Sequence, residues 1–334
     1  MTCDPRSGHD ARSRRVDTTG PTWESAPYDG RVTSLSPTGI QFHLTRGGVT
    51  AQISQVGAAL RGLTVDGVDI VPPYPIDIPA PLCAGVVLVP WPNRIRDGVW
   101  DDEGTERALA ITEPKLNNAI HGLLRYSPYE IAEQTDDRIT LRAAVFPQAG
   151  YPYLLETSVT YALGERGVTV THAITNRSDE AAPVAVGTHP FLTIGDVDPR
   201  ELVLTVPAAS FIETDERLLP TAELPVADGT DLRAGKRLGD LDLDTAFTDV
   251  ARDDDGMVRS TLAAPDGRTV TLWQGEGFDY LQVYTTDELY PGQAFAVAVE
   301  PMTALMDAFN TGRGIRRLAT GETWTLHWGV DFTA

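Results

Sequence analysis

From Thr33 onward the chain repeats one texture: short apolar runs, each closed by Gly, Pro, Asp or Asn. The runs include Gln41–Thr45, Ala51–Gln55, Arg138–Val145, Glu156–Ala162, Val168–Ile174, Glu201–Val206, Thr269–Trp273, Tyr280–Thr285, Ala294–Glu300 and Thr325–Phe332. Runs of this length, rich in β-branched and aromatic residues and bounded by turn formers, read as strands. Long segments with a helical period are missing. Asp66-Gly67, Asp97-Gly98, Asp255-Gly256 and Asp266-Gly267 are turn pairs, because both residue types tolerate the positive backbone angles of tight hairpins. The pattern predicts an all-β chain folded as a large antiparallel β-sandwich. With 334 residues, such a domain buries roughly 75% of its unfolded surface without help from disulfides. Residues 1–30 are rich in Arg, Asp, Ser, Thr, Gly and Pro and read as a flexible tail, leaving 31–334 as one domain.

Charge narrows the partners. Acids exceed bases by 20 and are spread along the chain, so the surface repels nucleic-acid backbones and anionic membranes. A small neutral ligand suits such a surface, and a polyanionic one is disfavoured unless a local basic pocket exists. The two cysteines, Cys3 and Cys83, have no metal-type spacing and point to a reducing compartment, the cytoplasm. No apolar run approaches a membrane span, and Met1 to Arg15 lacks the apolar block of a secretory signal. Oligomeric state is left between monomer and homodimer.

Two segments end on a titratable group. In Ala294-Phe-Ala-Val-Ala-Val-Glu300, strand alternation puts Phe295, Val297 and Val299 on one face and Ala296, Ala298 and Glu300 on the other. In Val184-Ala-Val-Gly-Thr-His189, Ala185, Gly187 and His189 share a face. A proline follows each, Pro301 and Pro190. Both read as strands hollowed on one side to admit a ligand and ending in an acid–base group. The structural alternatives are a carboxylate held by an arginine and a histidine bonded to backbone. His121 precedes Gly122, whose lack of a side chain allows close approach by a ligand. Pro90-Trp-Pro-Asn-Arg-Ile95 puts Arg94 in a proline-stiffened loop beside Trp91, a multi-donor head and an aromatic face of the kind that suits a sugar. His172, on a strand face with Val168, Val170 and Ile174, reads as a satisfied sheet histidine. No Cys or His lies at ligand spacing to His121 or His189, so no metal site is expected.

Four motifs occur in order: Pro90-Trp-Pro-Asn-Arg-Ile-Arg-Asp-Gly98, Asn118-Ala-Ile-His-Gly122, Gly187-Thr-His-Pro-Phe191 and Glu300-Pro-Met-Thr-Ala304. Asp307-Ala-Phe-Asn-Thr-Gly312, Leu318, Gly321-Glu322 and Trp328 follow. Together they resemble the aldose 1-epimerase (galactose mutarotase) family over roughly residues 35 to 332. The resemblance implies the galactose mutarotase-like supersandwich, with a sugar cleft on one sheet and neither metal nor cofactor. It implies Glu300 as general base, His189 as general acid at the ring oxygen, and His121 as the second histidine near that oxygen and C1. It implies Arg94 and Asn93, in the Asn-Arg-Ile motif, and Asp244, in Leu243-Asp-Thr-Ala-Phe247, as sugar-binding residues. The chain departs from the family where Gly122 is followed by Leu123-Leu124-Arg125, and where Leu305-Met306 stands in place of two prolines. Both departures flank the cleft and bear on which sugar is bound.

The expected reaction is isomerisation of an aldohexose of galactose or glucose type, with Glu300 ionised and His189 protonated when the sugar arrives. The alternatives on the same fold are a sugar-phosphate epimerase, which needs several basic groups converging on phosphate, and a non-catalytic sugar-binding protein. A glycosidase would want two carboxylates about 5–10 Å apart. Only Glu300 stands out as a strand-end carboxylate.

Overall fold

The computed structural model describes residues 36–334, which form one compact unit. The tail expected over residues 1–30 lies outside the described residues.

Two large antiparallel sheets dominate. One has nine strands, centred on Leu155–Leu163, Gly167–Asn176, Thr323–Thr333 and Thr269–Gln274. The other has eight, centred on Asp244–Val250, Tyr280–Tyr290 and Gln293–Met302. A four-stranded meander over Gln41–Arg46, Val49–Ser54, Leu60–Val65 and Val68–Val71 completes the main framework. The α-helix Ala308–Thr311 is a single turn. No helix among the described residues is long and apolar enough to cross a membrane.

Strand alternation explains the core. On Gln293–Met302, Phe295, Val297 and Val299 enter one large apolar cluster with Phe247, Leu281 and Val283 from neighbouring strands. The nine-stranded sheet contributes Val170, Leu272, Leu326, Trp328 and Val330 to the same cluster. Each such side chain contributes about 1.5–3 kcal/mol on burial. The opposite face of the eight-stranded sheet therefore carries Glu300, and Gln282 lies directly across from it.

Asp66-Gly67 has both residues at positive φ and closes the hairpin between Leu60–Val65 and Val68–Val71. Asp97 and Gly98 have the same sign, but the strands they join pair elsewhere, Arg94–Arg96 with Asn118–Ile120 and Val99–Asp102 with Thr105–Ala108. Local turn chemistry set the backbone there, not the pairing.

One expected strand is broken. Residues 184–189 do not form a continuous strand: Ala182–Val184 pairs with Arg316–Leu318, and Gly187–Thr188 inserts between Gln293–Met302 and Val87–Leu88. The small residues here serve packing instead of a ligand. A side chain at Gly187 would meet the Pro92 ring at 2.6 Å, and Ala185 packs on Ala304 and Ala308. Likewise Ala296 and Ala298 are filled over by Phe191, Tyr74 and Ala84, so the face leading to Glu300 is not hollow.

Candidate active site

Glu300 sits near the end of Gln293–Met302, and His189 lies in the link between Gly187–Thr188 and Phe191–Leu192. Phe191 pairs with Ala298 on the glutamate's strand, which brings the two elements side by side. The His189 backbone is held at both ends. Its N–H donates to the Val86 carbonyl, and its carbonyl accepts from Gly85. Its ring stacks on Phe191 at 5.4 Å. The result places His189 Nε2 3.4 Å from Glu300 Oε1, with both side chains buried.

His121 stands next to this pair, its ring 5.6 Å from that of His189 and edge-on to it. Its backbone is in the left-handed region, as is that of Asn93. Such strain persists where surrounding structure over-determines it. Here the two residues brace each other: the His121 N–H donates to the Asn93 carbonyl at 2.9 Å, and the Asn93 N–H donates to His121 Nδ1 at 3.2 Å. Since Nδ1 accepts, neutral His121 carries its proton on Nε2 and can donate from there. Gly122 keeps the loop close, although the approach it permits is not a ligand's. A side chain there would meet the Val89 carbonyl oxygen at 2.2 Å. Trp91 faces inward too, packed against Tyr151 and Phe309 and almost fully buried, so it offers no surface to a sugar.

A second group of residues surrounds Arg94. Glu113 grips it with a fork, Oε1 and Oε2 accepting from Nε and a terminal nitrogen at 3.0–3.2 Å. Asp244 lies 3.7 Å from the same head. Gln282 links the halves, donating to Asp244 Oδ1 at 2.5 Å and accepting from the Asn93 amide at 3.3 Å. Asn118 donates to Glu113 at 3.0 Å. Thus Glu300, His189, His121, Asn93, Arg94 and Asp244 converge on one locality, together with Glu113, Gln282 and Phe191, which were not expected. Gln282 was within reach of the alternation argument, since Tyr280, Gln282 and Tyr284 share a face opposite Leu281 and Val283. Glu113 lies in a loop whose sequence carries no such signal.

The electrostatics follow from burial. Burial pushes the Glu300 carboxyl well above its ordinary range; Asp244 adds to that and Arg94 opposes it. Burial lowers His189 to about 4. His121 is held well below its ordinary value, first by burial and then by the charges of His189, Arg125 and Arg94. Burial also raises Asp244, against Arg94 and Gln282. The favoured resting form of the pair is therefore a protonated Glu300 beside a neutral His189, one proton shared between two groups. The ion pair expected when the sugar arrives is the other distribution of that proton, with Glu300 ionised and His189 charged, and burial disfavours it before the sugar binds. Among the described residues no group of His, Cys, Asp and Glu is arranged to hold a metal.

Fold and site together define a sugar-active isomerase built on an antiparallel sandwich. The family described as aldose 1-epimerase matches residues 41–330, and the chain belongs to that family. It is 33% identical over 305 residues to the uncharacterized protein YihR of Escherichia coli K12, covering 90% of this chain and 96% of that one. Human galactose mutarotase is 29% identical over 166 residues, 46% of each chain. Among solved structures, a galactose mutarotase-like protein from Clostridium acetobutylicum superposes with a TM-score of 0.77 at 19% identity, covering 87% of this chain and 94% of that one. A GalM/aldose epimerase homologue from C. elegans also gives 0.77, at 20% identity, over 88% and 98%. Both show the same fold.

Proposed function

We propose that this enzyme interconverts the α and β anomers of an aldohexose of galactose or glucose type, working in the cytoplasm. The observation that carries this reading is the His189–Glu300 pair, 3.4 Å apart and buried beside His121 and Arg94. Mutarotation needs a proton taken from the anomeric hydroxyl and one delivered to the ring oxygen. Both oxygens are bonded to the same carbon, so acid and base must stand side by side, as these two groups do.

When the sugar binds, the shared proton passes from Glu300 to His189 Nε2; the carboxylate then accepts the proton of the anomeric hydroxyl, His189 gives its Nε2 proton to the ring oxygen, and the C1–ring oxygen bond breaks to leave an open aldehyde. Rotation about C1–C2 presents the other carbonyl face. Closure reverses the transfers, so no net proton or electron is exchanged. Ring opening leaves the proton on Glu300 and His189 neutral, the distribution that burial favours. Burial therefore lowers the cost of the open-chain state. His121, donating from Nε2, steadies the ring oxygen and C1. Arg94, Asn93 and Asp244 hold the remaining hydroxyls. Polarimetry on freshly dissolved α-glucose and α-galactose tests the reading. Acceleration over the uncatalysed drift is expected, and no acceleration of any aldose ends it.

A further inference from the structure

The turn between Ala208–Thr214 and Pro220–Pro225 stands at the edge of the eight-stranded sheet. Its shape is set locally. The Asp215 carboxylate accepts from the Arg217 and Leu219 backbone N–H groups at 2.9 and 3.0 Å, and Leu218 takes the left-handed conformation that closes the loop. An aspartate bonded to backbone two residues on stiffens a turn. Arg217 is therefore presented on a fixed tip.

The segment it reaches lies 101 residues earlier. Arg217 Nε donates to the Leu116 carbonyl at 3.0 Å. One terminal nitrogen donates to Asp97 at 2.8 Å, to the Asn117 carbonyl at 3.1 Å and to Asn118 Oδ1 at 3.3 Å. Asp215 lies 4.0 Å from Arg96, so the tip sets an acid and a base against the base and acid of Arg96-Asp97. Between Ile111 and Asn117 no side chain is buried, so packing does not hold this segment. Arg217 ties it down from outside.

Asn118 carries the contact into the site. Its amide nitrogen donates to the Arg217 carbonyl at 3.2 Å and to Glu113 Oε2 at 3.0 Å. Glu113 Oε2 in turn accepts from Arg94 Nε at 3.0 Å. Direct bonds thus run from Arg217 through Asn118 and Glu113 to Arg94. Asn118 is fully buried, where an unmade hydrogen bond is costly, so this middle link resists slipping.

We propose that Arg217 is a positioning residue for the sugar-binding half of the site: through Asn118 and Glu113 it fixes the direction in which Arg94 presents its donors. It acts through these residues and not on the sugar. The dyad is held separately, by the bonds of His189 to Val86 and Gly85. A loosened Arg94 must be ordered again each time a sugar binds, which weakens binding and leaves the proton transfers alone. The proposal rests on the anomer-exchange reading and adds that sugar affinity is set from the tip of a hairpin.

The test measures kcat and KM by polarimetry on α-glucose and α-galactose. The proteins are the wild type, Arg217→Gln, Arg217→Lys, Glu113→Gln and the Arg217→Gln/Glu113→Gln double variant. Arg217→Gln should raise KM about 2- to 10-fold, the range of one net hydrogen bond, with kcat little changed. Arg217→Lys should recover part of the loss, since an ammonium still pairs with Asp97. In the Glu113→Gln background the Arg217 substitution should add little, because both act through Arg94. An unchanged KM in Arg217→Gln overturns the proposal, as do single effects that multiply in the double variant. A fall in kcat at unchanged KM also overturns it, by making the hairpin a support of the fold alone. All three leave the proposed reaction standing, whereas a wild type that accelerates no aldose overturns both.

Discussion

The two halves of the site are built on opposite rules. Around Arg94 the polar atoms are cross-braced: Glu113 holds the guanidinium, Asn118 holds Glu113, and Gln282 ties Asp244 to Asn93. Around Glu300 and His189 the bonding is sparse. Their mutual contact is long at 3.4 Å, and His189 Nδ1 is buried without a partner. Rigid donors give direction, which binding a hydroxyl requires. A proton that must move is better left between groups with no competing partner. The dyad is held in place by other means, through backbone bonds to His189 and ring stacking on Phe191.

The contrast can be broken at its strongest point first. Glu300→Gln and His189→Asn should each cost about 10²–10⁴-fold in mutarotation rate, the usual worth of a positioned proton transfer. Polarimetry measures the loss, and an unchanged far-UV circular dichroism spectrum shows the sandwich intact. Near-wild-type rates in either variant would mean that the proton moves elsewhere.

Gly122→Ala strikes the scaffold that the two halves share. The new methyl would meet the Val89 carbonyl at a backbone angle L-residues rarely adopt. About 1–3 kcal/mol of stability should be lost, seen as a lower melting temperature, with activity falling as His121 is displaced. A Tm matching wild type would show that the loop yields freely.

Glu113→Gln tests the braced half. It keeps the shape of the fork but weakens its hold on Arg94, so KM should rise about tenfold while kcat changes little, since one charge-assisted hydrogen bond is lost. A fall in kcat with unchanged KM would place Glu113 with the dyad instead.

The smallest effect is in pH. The reactive pair holds one proton in total. Toward low pH it takes up a second as His189, lowered to about 4, becomes charged. Toward high pH it loses its only proton as Glu300, raised above its ordinary range, ionises. The profile of kcat/KM should be bell-shaped, and its limbs belong to the pair and not to either residue. Glu113→Gln should leave both limbs nearly in place. Stability has its own acid limb. His172, bonded to Trp328 and lowered to about 3 by burial, is neutral in the fold while the unfolded chain protonates near 6.5. The unfolded state therefore binds more protons below that value, and stability falls as pH drops from 6.5 toward 3. His172→Gln should flatten that part of a denaturation-versus-pH curve.

Several parts of this were legible in the chain. Ten strand segments follow from apolar runs and turn residues, because alternation and Gly or Asp chemistry act over a few residues. Glu300 was visible as a carboxylate at the end of an alternating strand, and Gln282 could have been read the same way. Other parts were not. The segment before His189 looks like one strand but is split between two sheets, since pairing is decided by partners far away in sequence. Its glycine and alanine, and those before Glu300, look like room for a ligand and are filled by Pro92, Phe191 and Tyr74. Trp91 looks like a sugar platform and is a core residue.

Alternation and composition alone determined the class of fold and its faces, because both act through neighbours along the chain. Alternation also placed the Glu300 carboxylate at the end of a strand, on the face opposite Phe295, Val297 and Val299. Only tertiary structure decided that Glu113 aims Arg94, that Gln282 couples Asp244 to Asn93, and that Arg217 grips the segment next to Glu113. Those pairings join residues 19 to 189 positions apart. The same distance explains the resting proton. A side chain's ordinary pKa is local, but the burial that makes Glu300 hold its proton and His189 release it belongs to the assembled sandwich.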